Sequence, residues 1–474
     1  FSSFASSPER VAFWVNMMSV LASAFAILFL FWSLTRIISR FILKDPSPSG
    51  IQAILALGAS VVGALSYTFS DSFWYNAVEA EVYAMAMLIT SAMFWLGLRW
   101  EEDMLKPRGD RWLVLIAFLI GLSFGVHFMG LLTVPAIGML FYFKHYPFSW
   151  KSFVVANLVS VAILLFIFKL LLPLTLAYFG NAEVFFVNSF GLPFNSGTII
   201  AGLSILAFFI WGLRFTQQKK WVQANTGLWC VVFILVGFSS WIMLPIRANA
   251  NTVINENAPT DARALLAYYN LEQYPETHLF YGPMYTDMYS GQDEDNPYKD
   301  DKPKYEKDYK KGRYVVVNAW EDARINANSK HTGLLPRMWS SGNAVNYITY
   351  FGAPNFDIKP EYSTQTQLID AINDFISRVN NGEVDANGYH QFLQRFGSYL
   401  DIEKPSLIDN LNYLFTFQIN YMYFRYFMWN FAGKQNDEQG NLDPFDGNWI
   451  SGISWLDSFR LGPQKNLYDD AKNN

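Results

Sequence analysis

Long apolar runs fill the first half of the chain, and they constrain its fold more than any other feature. Each run is long enough, with modest tilt or helical extension, to cross a hydrocarbon core of about 30 Å as a helix. The pattern predicts an α-helical polytopic membrane protein with about eight spans. These lie at residues 11–34, 51–69, 82–98, 112–128, 130–143, 153–178, 198–213 and 228–244.

The fourth and fifth predicted spans come from one continuous apolar run, residues 112–143. This run is too long for one ordinary span, and His127 is its only side chain that can be positively charged near neutral pH. We therefore predict two short spans that meet near residues 125–130.

Positive residues predict the orientation of the spans, because cytoplasmic loops are enriched in Lys and Arg. The opposite loops, 70–81 and 179–197, hold no Lys or Arg. They are therefore predicted to face the non-cytoplasmic side, together with the His127 turn and everything after residue 244. The positive loops carry Arg36, Arg40, Lys44, Arg99, Lys106, Arg108, Arg111, Lys144, Lys151, Arg214, Lys219 and Lys220.

The second half of the chain, residues 245–474, is polar and rich in aromatic residues, and we predict an α+β region that is soluble and periplasmic. Residues 314–317 read as a strand and residues 366–379 have helical apolar spacing. The aromatic stretch 407–431 approaches span length, but its polar residues would be costly in lipid. We predict a helix that packs on the domain or lies at the membrane interface.

Composition argues against a nucleic-acid partner, since the formal net charge is −5 and no basic face is evident. The Lys-rich run 299–313 is interleaved with acidic residues and predicts a solvated loop. Cys230 is the only cysteine, so neither an intrachain disulfide nor a Cys-based zinc site can form.

The stretch 71–83 is the strongest candidate for function. It places Asp71, Glu79 and Glu81 between two predicted spans, where carboxylates are expensive unless they are solvated or paired. Trp74 and Tyr75 are rings of the kind found at a membrane–water interface. The alternative is that Asp71 or Ser72 caps a helix and that the glutamates complement its positive end.

The glutamates Glu79 and Glu81 could coordinate a divalent cation or orient an acceptor molecule. On a regular helix their side chains would point about 200° apart, so both could reach one site only if the helix starts late or distorts.

Three further residues could contact a donor phosphate. His127 could also transfer protons, or be a satisfied core residue. Lys169 could neutralise the phosphate of a lipid, or extend to the nearer interface. Arg247 could bind phosphate in a bidentate manner, or serve as an interfacial anchor.

Several segments resemble a bacterial family of polytopic GT-C glycosyltransferases related to protein O-mannosyltransferases, long catalogued as a domain of unknown function. The matching segments are residues 73–84 (FWYNAVEAEVYA), 125–132 (GVHFMGLL), 245–251 (PIRANAN), 254–259 (INENAP), 421–433 (YMYFRYFMWNFAG) and 447–452 (GNWISG).

The resemblance implies transfer of a sugar, mannose above all, from a polyprenyl-phosphate donor to Ser or Thr of exported proteins at the bacterial inner membrane. It implies a catalytic role for Glu79, Glu81 and Asp71. For a protein of this kind we also expect donor or substrate binding by Asn76, Tyr83, His127, Lys169 and Arg247.

The Trp-Asp-x-Gly-Glu-Phe-like motif of that family, in the loop after its first span, is absent from this sequence. We expect the chain to be truncated at both ends and to lack that loop; the other explanation is an inactive copy. A non-catalytic membrane scaffold of an envelope complex is an alternative function, and an ion-coupled transporter is a further one.

Overall fold

A computed structural model describes residues 1–42, 49–250, 252–274, 276–293, 295–438, 440 and 442–466. Lys44 of the positive loops and Asn251 of the matching segment 245–251 lie outside the described residues. Internal contacts divide the chain into two compact units. The first is Phe1–Tyr274 with Lys307–Val315, and the second is Pro275–Glu306 with Val316–Asn474. The boundary after residue 244 stays a prediction.

The first unit is helical. Its α-helices are α1 Val11–Ile42, α2 Gly50–Thr68, α3 Asp71–Val78, α4 Val82–Asp103, α5 Arg111–Ser123, α6 Thr133–His145, α7 Trp150–Leu165, α8 Leu172–Phe190, α9 Ser196–Gln218, α10 Val222–Phe238, α11 Met243–Ala248 and α12 Ala262–Tyr269. A π-helical segment, Phe166–Leu171, joins α7 to α8, and 3₁₀ helices lie at Ser2–Phe4, Pro8–Arg10, Phe128–Leu132 and Ser239–Ile242.

Seven helical segments of the described chain are long and apolar enough to cross a membrane, one fewer than predicted. The fourth predicted span is the shorter helix α5, with 13 residues, or about 20 Å of rise. At the end of this helix, Trp241 Nε1 donates to the carbonyl of Phe124 at 2.8 Å, and the chain turns there. The predicted interruption near residues 125–130 is confirmed, since the 3₁₀ helix Phe128–Leu132 follows the turn.

The sixth predicted span is longer than expected. Helix α8 continues to Phe190 and ends at Gly191, which has a φ of 64° that glycine adopts without strain. Most of the predicted loop 179–197 is therefore helical.

The predicted positive loops lie together at one end of the helical bundle. Glu101 at the end of α4 pairs with Arg40 of α1 and with Lys144 of α6, the latter at 3.1 Å. Thr226 of α10 donates to Asp110 at 3.2 Å, which ties the loop before α10 to the loop before α5. This arrangement fits a common side for the four loops.

The second unit combines helices with short antiparallel strand pairs. Its helices are α13 Asp287–Ser290, α14 Ala344–Phe351, α15 Thr366–Asn380, α16 Ala386–Phe396, α17 Leu407–Asn412, α18 Arg425–Trp429 and α19 Ser454–Leu461, with the π-helical segment Tyr413–Phe424 between α17 and α18. The paired strands are β1 Tyr281–Pro283 with β6 Thr332–Leu334, β2 Tyr298–Lys299 with β5 Arg324–Ile325, β7 Phe356–Ile358 with β8 Leu400–Ile402, and β9 Gly433–Lys434 with β10 Trp449–Ile450. The hairpin of β3 Tyr305–Asp308 and β4 Arg313–Val316 spans the division between the units.

Three predictions for the second half are confirmed. The strand after residue 313 is β4, and the amphipathic helix is α15, whose Ile372 and Phe375 face the core. The aromatic stretch is helical and packs on its own unit, where Tyr413 lies edge-on to Tyr347 at 5.3 Å. The fully buried Asn410 is satisfied, because its Oδ1 accepts from two main-chain amides.

Candidate functional site

The acidic pair lies in a short linker between α3 and α4. Glu79 and Glu81 both have extended backbone, with φ near −108° at each. The amide of Glu81 donates to the carbonyl of Glu79 at 2.8 Å, which makes a γ-turn centred on Ala80. Since neither glutamate is helical, the 200° separation expected on a helix does not apply.

Both glutamates are exposed, and within the described part of the chain their carboxylates form no hydrogen bond or ion pair. Glu81 stands at the N-cap position of α4, yet its side chain accepts no capping hydrogen bond. The N-cap of α3 is Ser70, so neither Asp71 nor Ser72 caps that helix. The position of Glu81 at the start of α4 fits the alternative that its charge complements the helix dipole. Both carboxylates are also accessible to a ligand.

Other residues of the same segment have more ordinary contacts. Asp71 lies in the first turn of α3, where a negative charge complements the helix dipole. Asn76 donates from Nδ2 to the carbonyl of Ser72 at 2.6 Å, so its amide group is partly used within its own helix. The exposed ring of Trp74 stacks on Phe69 with centroids 5.8 Å apart.

His127 is held in a defined orientation at the turn after α5. Its Nδ1 accepts a hydrogen bond from the amide of Met129 at 3.1 Å, which makes His127 the N-cap of the 3₁₀ helix. Because Nδ1 is the acceptor, the neutral ring carries its proton on Nε2. The ring lies beside that of Tyr83, with centroids 5.5 Å apart. The stretch 71–83 and the His127 turn, which were predicted separately, thus lie together at the start of α4.

Lys169 lies in the π-helical segment between α7 and α8, and its side chain is exposed. Its ammonium group lies 4.9 Å from the ring centroid of Phe168, and that ring packs edge-on against Phe128 at 5.4 Å. Phe128 directly follows His127, so the segment that carries Lys169 packs against the His127 turn. A π-helical segment within an α-helix is frequently found at functional sites.

Arg247 is exposed in the last turn of α11. The segment before α11 contacts the His127 turn, since a side chain on Gly125 would come within 2.6 Å of Ser240 Oγ. Asn249 uses its amide group to bind the main-chain carbonyls of Pro245 and Thr260, both at 2.8 Å. Asn249 therefore braces the loop rather than offering a free donor.

A second polar cluster, which sequence reasoning missed, surrounds Glu183 of α8. The carboxylate is completely buried and accepts hydrogen bonds from the amides of Asn195 and Thr198 and from the Thr198 hydroxyl. Tyr314 of the β3–β4 hairpin also donates to it, at 3.2 Å. A signal was present, because Glu183 is the only acidic residue between Asp110 and Glu256.

The same cluster includes a lysine that was predicted to be solvated. Lys307 lies in β3, its side chain is only 16% exposed, and it pairs with Asp261 at 3.4 Å. The prediction of a solvated loop at 299–313 is wrong at this point, because the strand turns Lys307 towards Asp261. Burial, together with the charges of Asp261 and Glu183, raises the pKa of Tyr314, so its hydroxyl stays a donor.

The described residues contain no group of three or more His, Cys, Asp or Glu side chains placed to hold a metal ion. A divalent cation at Glu79 and Glu81 would therefore need further oxygen ligands, such as phosphate oxygens of a substrate.

Comparison with known proteins relates two parts of this chain to protein families. Residues 1–150 match the family model of the protein O-mannosyl-transferase TMEM260 N-terminal domain, and residues 275–415 match a family of unknown function. No curated protein and no solved structure matches. The first match includes the acidic linker and His127, whereas Lys169 and Arg247 lie outside it.

The first match supports an O-mannosyltransferase-like N-terminal region. The membrane-capable helices indicate a multi-pass membrane protein. Taken together, the two observations suggest a membrane glycosyltransferase.

Proposed function

We propose that this protein is a GT-C type glycosyltransferase of the bacterial inner membrane. It transfers a sugar, mannose in the leading hypothesis, from a polyprenyl-phosphate donor to Ser or Thr of exported proteins on the periplasmic side. The observation that carries the proposal lies within the O-mannosyltransferase match: the acidic linker leads into Tyr83, whose ring lies beside that of His127.

Each group in this region has a part in the proposed reaction. The acceptor hydroxyl displaces the lipid phosphate from the sugar while a carboxylate of the catalytic loop, whose motif this sequence does not contain, takes its proton. Glu79 and Glu81 orient the acceptor, or would hold a divalent cation that would supply positive charge beside the phosphate. Lys169, Arg247 and the Nε2–H of His127 stabilise the negative charge that develops on the departing phosphate.

The test is sugar transfer by the purified full-length protein in nanodiscs, with the catalytic loop present, from a polyprenyl-phosphate mannose to a Ser/Thr-containing peptide. We expect Glu79→Gln and Glu81→Gln to lower the rate by on the order of 100-fold, since the carboxylate charge is lost without a change of shape. Glu361→Gln removes an equally exposed carboxylate of the second unit and should leave the rate unchanged.

Full activity in both glutamate variants would remove the acidic pair from the mechanism. No transfer by the unaltered protein, with any polyprenyl-phosphate sugar, would favour the alternative of a non-catalytic scaffold.

A further inference from the structure

The second unit carries an apolar face on the helix that runs from α17 through the π-helical segment to α18. Its inward side chains pack on the core of the unit, as Tyr413 does. Its exposed apolar side chains follow one another at steps of one to four residues, with the exposed Thr416 and Asn420 among them, and we call this apolar set the stripe. The stripe consists of Phe415, Ile419, Met422, Tyr423, Tyr426, Phe427 and Phe431, which are between 42% and 67% exposed.

The stripe bears no charged side chain. Arg425, the only charged residue between positions 410 and 433, turns away from it. Its guanidinium stacks on the ring of Tyr421 at 3.9 Å, and Nη1 donates to the carbonyl of Gly447 at 3.2 Å. The stripe therefore offers rings and aliphatic groups along the π-helical segment, α18 and the turn that follows.

A second helix of the same unit also exposes two large rings. In α19, Trp455 and Phe459 lie one turn apart and are 73% and 86% exposed. The other side of α19 is fixed, because the buried Asp457 accepts from the amide and hydroxyl of Ser451. Trp449 connects α19 to the stripe, since Arg460 stacks on it at 3.5 Å and Phe424 packs against it at 6.1 Å.

We propose that this face, formed by the stripe with Trp455 and Phe459, lies in the outer interfacial region of the lipid bilayer that the first unit spans. Two observations favour lipid over a protein partner. The chain itself carries seven membrane-capable helices, so a bilayer is always available to the second unit at high effective concentration. Tyr, Trp and Phe on an amphipathic helix without charges on its apolar side are also the residues that settle at the headgroup–acyl boundary.

Spin labels test this membrane contact directly. They would be placed on the full chain in nanodiscs that hold one copy each. In a Cys230→Ala background, a nitroxide would be attached at Tyr423→Cys or Phe459→Cys. We expect both labels to be more accessible to oxygen, which partitions into lipid, than to a water-soluble nickel chelate. Ser377→Cys on the exposed side of α15 is the matched control and should show the reverse preference. Phe415→Cys repeats the test if either variant aggregates.

Labels at 423 and 459 that behave like the label at 377 would overturn the proposal. Labels that neither reagent reaches would overturn it as well, because they would mean that protein covers the face. The measurement does not depend on catalysis, so its outcome is independent of the proposed glycosyltransferase activity.

Discussion

His127 combines a structural contact with a free ring nitrogen, and a single substitution can separate the two. The Oδ1 atom of asparagine can take the place of Nδ1 and accept from the amide of Met129, since asparagine is a good N-cap residue. His127→Asn should therefore keep the turn and change stability little, while it removes Nε2 and lowers sugar transfer. His127→Ala should lose both functions, at a cost of about 1 kcal/mol in stability.

The checks are the transfer rate and the thermal midpoint of each purified variant. Normal transfer by His127→Asn would show that only the cap matters, and that His127 is a structural residue.

Features of the candidate site could be predicted from the sequence where they depend only on neighbouring residues in the chain. The exposed acidic pair and the turn at His127 follow from carboxylates and glycines between apolar runs. The orientation of Glu79 and Glu81 could not be predicted, because it depends on a γ-turn at Ala80 that ends one helix before the next begins. The contact of His127 with Tyr83 depends on how α4 packs against the turn, which no local pattern encodes.

At the scale of elements, Glu183 holds the start of α9 in place. Its carboxylate accepts from the amides of Asn195 and Thr198, which have no partner within their own helix. We expect Glu183→Ala to remove the shared acceptor of these amides, at a cost of about 2 kcal/mol. Tyr314→Phe removes one of the donors to the same carboxylate and should cost only about 1 kcal/mol.

Thermal unfolding of the full chain, with hydrogen exchange of the amides at residues 195–199, distinguishes the two variants. Equal losses in both, or unchanged exchange in Glu183→Ala, would contradict a capping role for Glu183.

The helices themselves were largely predictable, because their apolar runs are long. Their ends were less so. At the early end of helix α5, the carbonyl of Phe124 accepts from Trp241, more than a hundred residues later. Lys307 was predicted to be solvated because its neighbours in sequence are charged, yet the β3–β4 hairpin places it beside Asp261. Both errors come from partners that are distant in sequence.

At the scale of the whole molecule, the ion pairs of the positive loops and the candidate site lie at opposite ends of the helical bundle. Arg40, Lys144 and Glu101 meet at one end. Tyr83 and His127 meet at the other, where α4 begins. Because positive loops stay in the cytoplasm, we expect the end with Tyr83, and the second unit, to face the periplasm.

Cysteine labelling tests this orientation in spheroplasts that express the Cys230→Ala protein. A membrane-impermeant maleimide should label Glu321→Cys of the second unit in intact spheroplasts, since the position is exposed and the second unit is predicted to be periplasmic. Lys219→Cys, in the exposed loop between α9 and α10, should react only after permeabilisation. The opposite pattern would place the acidic linker in the cytoplasm, where exported proteins could not be acceptors after translocation. The proposed reaction would then be excluded, whatever the chemistry of Glu79 and Glu81.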